Sequence, residues 1–98
     1  LKVHVKYLLW LAQKAGTSEE LVEIPENTTI AGLLEKLAKT KQGVSKVLEE
    51  VLRGKSEVIV LHNSKTPLQG LSTTLKDGDI IVLIPPVSGG SDLNPSSL

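Results

Sequence analysis

Ninety-eight residues make a single domain, near the lower end of what folds without covalent staples. The chain has no cysteine, which excludes disulfides, thiolate metal sites and redox chemistry on a thiol of its own, and fits a reducing, cytoplasmic setting. Eleven basic residues cancel eleven acidic ones, and Tyr7 and Trp10 are the only aromatics. A nucleic-acid binder would need a basic stripe or a stacking platform, and the chain has neither.

Lys2 to Leu8 alternates, with Val3, Val5 and Tyr7 against His4 and Lys6, and reads as a strand with the valines inward. The apolar run Tyr7 to Ala12 is far too short to span a bilayer, so no membrane association is expected. From Leu8 the period changes. Leu8, Leu11, Ala12 and Ala15 recur at helical spacing until Gly16 stops them as a C-cap. Glu20 to Ile24 is a second strand, turned back onto the first through Gly16-Thr17-Ser18 and ended by Pro25.

Thr28 or Thr29 caps the main helix, whose stripe is Ile30, Leu33, Leu34, Leu37 and Ala38. Gly32 inside it costs about 1 kcal/mol against alanine and is expected to permit close packing on the sheet. Gly43 breaks the pattern. A further helix carries Val44, Val47, Leu48, Val51 and Leu52 and closes at Gly54. Glu57 to Leu61 is a strand that is apolar on both faces, turned by Asn63-Ser64. Thr66 to Leu75 is a loop with room for a short strand, and Asp77-Gly78 is a tight turn. Ile80 to Ile84 is the last strand. It is as apolar as the first, and the two are expected side by side at the centre of one sheet with the helices on one face.

Beyond that strand the composition changes to Pro85-Pro86-Val87-Ser88-Gly89-Gly90, followed by eight residues, Ser91 to Leu98. The prolines favour extended backbone and carry the chain away from the domain, and residues 85–90 reach about 20 Å when extended. Glycines lack Cβ and let another backbone approach closely, as a narrow active site on a different protein requires.

The ordered set of the Leu75-Lys76-Asp77-Gly78-Asp79 turn, a five-residue apolar strand and Pro-Pro-Val-Ser-Gly-Gly resembles the ubiquitin-like β-grasp proteins. The likeness is to the small sulfur-carrying subunit of molybdopterin synthase and to archaeal ubiquitin-like modifiers, and covers residues 2–90. It implies an α+β fold: a ubiquitin-like β-grasp with one mixed sheet, helices packed on one face, and a flexible C-terminal tail. Residues 1–84 would be the domain, 85–90 the extended di-glycine tail, and 91–98 a disordered extension removed by processing. Sulfur carriers of this type generally end at the di-glycine. An octapeptide after Gly90 is the mark of a modifier precursor instead.

The resemblance further implies a carrier and substrate rather than an enzyme. Cleavage between Gly90 and Ser91, by a zinc metalloprotease of deubiquitinase type, would free the Gly90 carboxylate. An adenylating enzyme of the ubiquitin-activating type would then consume ATP to activate it, with Gly89 beside it in the narrow site. A conjugating enzyme would pass Gly90 to lysines of target proteins. In the alternative, Gly90 becomes a thiocarboxylate that serves a sulfur-accepting partner in molybdopterin or tRNA thiolation. A third reading is a β-grasp interaction module with a passive linker, or an expression remnant, after Ser88. The monomer binds no cofactor and no metal. His4 and His62 have no second ligand at metal spacing.

The docking patch implied is the open sheet face beside the tail. If Ile81 and Leu83 point to the helices, Val82 and Ile84 face out. Val60, with Val58, would join them, His62 would sit at the edge, and Pro85, Pro86, Val87 and Ser88 would complete the surface. The alternative, equally open from an all-apolar run, is that these strands are covered and their residues belong to the core.

Overall fold

The computed structural model describes residues 1–86; the expectations placed on Val87 to Leu98, including Gly89, Gly90 and Ser91, lie outside the described residues. Four strands form one mixed sheet in the order β2-β1-β4-β3: β1 (Lys2–Tyr7), β2 (Glu19–Glu23), β3 (Ile59–His62) and β4 (Ile80–Ile84). Three helices, α1 (Trp10–Ala15), α2 (Ile30–Thr40) and α3 (Gln42–Leu52), supply the opposing layer. The first and last strands are central and parallel, with Val5 beside Ile81 and Tyr7 beside Leu83. β2 and β3 flank them antiparallel.

The core follows from period two on the strands and period 3.6 on the helices. Val3, Val5, Ile81 and Leu83 have no solvent exposure, nor have Leu11, Ile30, Leu33, Leu34, Val44 and Leu48 from the helices. Thr29 is the N-cap of α2: its hydroxyl accepts from the Gly32 amide at 3.1 Å, taking up one of the orphan donors of the first turn. Gly16 closes α1 in the left-handed conformation, its N–H on the Ala12 carbonyl. Tyr7 is buried on β1, and its hydroxyl donates to Glu20 Oε2 at 2.7 Å, which Lys41 Nζ approaches to 3.3 Å. Burial, then the hydrogen bond and charge of Glu20, push the Tyr7 phenol well above its ordinary value.

Three expectations need correction. Leu8 is not on the α1 stripe. It precedes the helix and is 37 % exposed, because the chain turns at Leu9 before helical bonding begins. The break between α2 and α3 is not at Gly43 but at Lys41, held extended at φ −125° and ψ 95°. Gly43 lies in the first turn of α3, where a Cβ would overlap the Lys14 carbonyl oxygen of α1. The close approach expected of Gly32 therefore belongs to Gly43. A Cβ on Gly32 would meet only the Thr28 methyl at 3.1 Å and the Thr29 hydroxyl at 3.7 Å, both outside the sheet.

β3 starts at Ile59 rather than Glu57, and Val58 packs half-buried against the core without pairing. Thr66 to Leu75 forms no strand. It holds one 3-10 turn (Gly70–Ser72) and returns to α2 through a single bridge between Thr74 and Thr29.

Candidate functional site

The parallel pairing of β1 and β4 brings two chain segments out of the same end of the sheet. Leu8 donates its amide to the Leu83 carbonyl at 3.1 Å, one step beyond the last paired residues. Past that point β1 leads into Leu9 and Trp10, while β4 leads into Pro85 and Pro86. Pro85 continues the inward alternation of Ile81 and Leu83 and is buried, so it belongs to the packed domain. Pro86 is exposed, and the departure expected of the proline pair starts there.

The outer sheet face divides into two halves by register. On β2 and β1 it carries Glu23 opposite Lys2, Leu21 opposite His4 and Glu19 opposite Lys6. His4 Nε2 lies 2.6 Å from Glu19 Oε1. On β4 and β3 it is apolar, with Val82 opposite Leu61 and Ile84 opposite Ile59. Val82 and Ile84 thus point away from the core on the same face as Leu61 and Ile59, and Ile59 is 54 % exposed. Leu8, also exposed, extends this apolar strip at the end where the tail leaves. Contiguous exposed apolar surface of this kind has the physical meaning of a contact site.

Val60 and His62 do not join it. Directly opposed residues of an antiparallel pair share a face, and Val60 stands opposite Leu83, His62 opposite Ile81. Both inner partners are fully buried, and Val60 packs against the core. The outward residues of β3 are Ile59 and Leu61, which the sequence could not phase because every position of that strand before His62 is apolar.

His62 has a different place, at the far end of the sheet from the tail. Its Nε2 lies 2.7 Å from Asp79 Oδ2, and the Lys76 amide donates to the same oxygen at 2.9 Å. Asn63 Nδ2 donates to Asp79 Oδ1 at 3.1 Å, while the Ile80 amide donates to Asn63 Oδ1 at 2.8 Å. Asn63 and Ser64 both have positive φ, 52° and 69°, the pattern of a type I′ turn, closed by two bonds between His62 and Lys65. Asp77 accepts from the Lys2 amide at 2.8 Å, and Gly78 turns at φ 86° to donate to the Lys2 carbonyl. The Lys-Asp-Gly-Asp motif is therefore a fastener: it ties the start of β1 to the β3–β4 end and contributes no chemistry of its own.

Burial alone would raise the Asp79 carboxyl, but the hydrogen bonds from His62, Asn63 and the Lys76 amide, with the charge of His62, hold it below its ordinary value of 3.8. The folded chain then binds this proton more weakly than the unfolded chain. The resulting stabilisation is complete above the ordinary value and is lost as pH falls below 3.8 toward the depressed folded value. Urea unfolding at pH 5 and pH 3 is expected to show a smaller acid loss in Asp79→Asn than in the parent chain; equal losses would remove Asp79 from the account.

Among the described residues, no group of three or more His, Asp or Glu side chains is placed to hold a metal ion, and no helix is long and apolar enough to cross a membrane.

An apolar strip beside a di-glycine tail on a mixed 2-1-4-3 sheet is a specific combination, and the ThiS family model matches it over residues 5–90. The chain belongs to the ThiS family. It is 30 % identical over 92 residues to the molybdopterin synthase sulfur carrier subunit of Drosophila melanogaster, covering 92 % of each chain. It is 26 % identical over 92 residues to small archaeal modifier protein 3 of Haloferax volcanii, covering 92 % of this chain and all of that one. The crystal structure of SAMP1 from Haloferax volcanii superposes with a TM-score of 0.80 at 26 % identity, over 92 % of this chain and 100 % of the other. The fold of this ThiS-family chain is the ubiquitin-like β-grasp, and its relatives bear the names of carriers and modifiers rather than of catalysts.

Proposed function

We propose that this chain is the precursor of a ubiquitin-like protein modifier that is cut after Gly90. The observation that carries the reading is the position of the family match, which ends at Gly90 while eight residues follow. While Ser91 is attached, the Gly90 carbonyl is an amide and offers no carboxylate. Hydrolysis of the Gly90–Ser91 bond consumes one water and frees it. A carboxylate oxygen then attacks the α-phosphorus of ATP on an activating enzyme and expels pyrophosphate. The acyl-adenylate next yields to a lysine amine of a target protein, with AMP leaving and an isopeptide bond formed. The chain is substrate and carrier throughout, and the apolar strip of Leu8, Ile84, Val82, Ile59 and Leu61 is the surface by which the partner enzymes hold it.

The sulfur-carrier reading is favoured by the 30 % identity to a molybdopterin synthase sulfur carrier subunit. It shares the adenylate and differs only in the acceptor, a persulfide in place of an amine, which leaves a thiocarboxylate at Gly90.

Intact mass after incubation of the full chain with cell extract and ATP separates these. Trimming to Gly90 with ladders on lysines is the expected result. Trimming with a mass increase equal to the sulfur–oxygen difference, and no ladders, would replace the modifier by the carrier. A full-length chain that conjugates with residues 91–98 still attached would overturn the precursor.

A further inference from the structure

The segment beside the tail base has features that the docking strip does not use. Leu9 adopts φ 55° and ψ −133°. With the Leu11 amide on the Leu8 carbonyl at 3.1 Å, this is the first central position of a type II′ turn, where glycine is the ordinary occupant. A leucine there carries backbone strain of about 1–3 kcal/mol, and its side chain is 58 % exposed, so burial does not offset it. What the turn does is to break β1 sharply and set Trp10 at the start of α1, next to the outgoing β4.

Trp10 is 38 % exposed, and its indole Nε1–H donates to the Pro86 carbonyl at 3.5 Å. Lys14 Nζ lies 6.0 Å from the ring centroid, within reach of a cation–π contact that holds the ring's other side. The chemistry of the pair is complementary. Pro85-Pro86 has no backbone N–H, so its backbone can be held only through carbonyls. Indole is a donor with no acceptor. Pro86 is also the last residue before the chain runs on to Gly90.

We propose that Trp10 is a positioning residue for the tail: its indole N–H holds the Pro86 carbonyl and thereby sets the direction in which the chain leaves the domain toward Gly90. The proposal rests on the reading of Gly90 as the reactive terminus. Leu9 acts through Trp10, its strained turn fixing where the indole stands. A tail that leaves in one direction loses less freedom on entering a partner's narrow site.

The chain has no cysteine, so a single nitroxide can be attached at Ser88→Cys in the full protein. Paramagnetic broadening of amide signals is expected to concentrate on Leu9 to Lys14. Trp10→Phe keeps a ring for Lys14 and removes the N–H, and should spread the broadening evenly over both sides of the sheet end. The same broadening pattern in both chains would overturn the proposal. A second measurement needs no substitution. Hydrogen exchange of the Trp10 indole N–H in the parent should be several-fold slower than in free tryptophan, and exchange at the free rate would overturn it equally. With the adenylating enzyme in hand and the chain ended at Gly90, Trp10→Phe should raise KM about three- to tenfold at nearly unchanged kcat. Absence of adenylation in parent and variant alike would sink the reading of Gly90, while the broadening result would still decide Trp10.

Discussion

Gly43→Ala is expected to destabilise the domain by about 1–3 kcal/mol, although the substitution improves the local helix. Helix propensity alone argues the other way, since alanine in place of glycine in α3 gains about 1 kcal/mol. The deciding term is steric. A Cβ at residue 43 would overlap the Lys14 carbonyl oxygen, and that atom is backbone, not the movable end of a side chain. Relief requires α1 and α3 to separate, yet Leu11 on one and Val44 and Leu48 on the other have no exposure at all. Interiors packed at crystal-like density do not yield cheaply. Gly32→Ala is the matched control: it also gains propensity, and meets only a threonine methyl at 3.1 Å that can give way. Thermal or urea unfolding should therefore show the two glycine substitutions with opposite signs. If both stabilise, the close approach of α1 to α3 is not as described.

This pair of glycines also shows what a single sequence can and cannot carry. Both stand in helical patterns, and spacing alone gives each the same meaning. Which one faces another backbone depends on the packing of α1 against α3, from residues nearly thirty positions apart in the chain. Local features were legible for the converse reason. The Thr29 cap, the Gly16 stop and the Gly78 turn are each determined within a few residues, by a hydroxyl three positions before an orphan amide or by a positive φ. The central placement of β1 and β4 was legible from their apolar composition.

The phase of β3 was not legible. Val58 to Leu61 is apolar throughout, and only pairing with β4 decides that Ile59 and Leu61 look outward and Val60 inward. The same holds for His62, whose partner Asp79 is seventeen positions away. No spacing rule links them, although the Asp-Gly-Asp cluster did mark a turn. At the tail end the signal was richer. Pro-Pro-Val-Ser-Gly-Gly was read from the chain, whereas the turn at Leu9 and the contact of Trp10 with Pro86 arise from two segments that meet only because β1 and β4 run parallel.

The second large effect tests the division of the outer face. Ile59→Asp is expected to weaken binding of the activating enzyme by about 2–4 kcal/mol, roughly 30- to 1,000-fold in dissociation constant, because a carboxylate would have to be desolvated without a partner. Ile59 is 54 % exposed on an edge strand, so the free chain should lose little stability. Leu21→Asp is the control on the other half. Leu21 is 65 % exposed, but it stands among Glu19, Glu23, His4 and Lys6, in a neighbourhood already charged and solvated. Its substitution should leave binding within about 0.5 kcal/mol of the parent. The contrast follows from composition across the sheet: the flanking strand β2 carries glutamates, whereas β3 and β4 carry apolar side chains on the face that the core does not cover. Equal loss from both substitutions would mean that the whole sheet face is held by the partner. No loss from either would move the docking surface to the helical side and leave the apolar strip without an occupant.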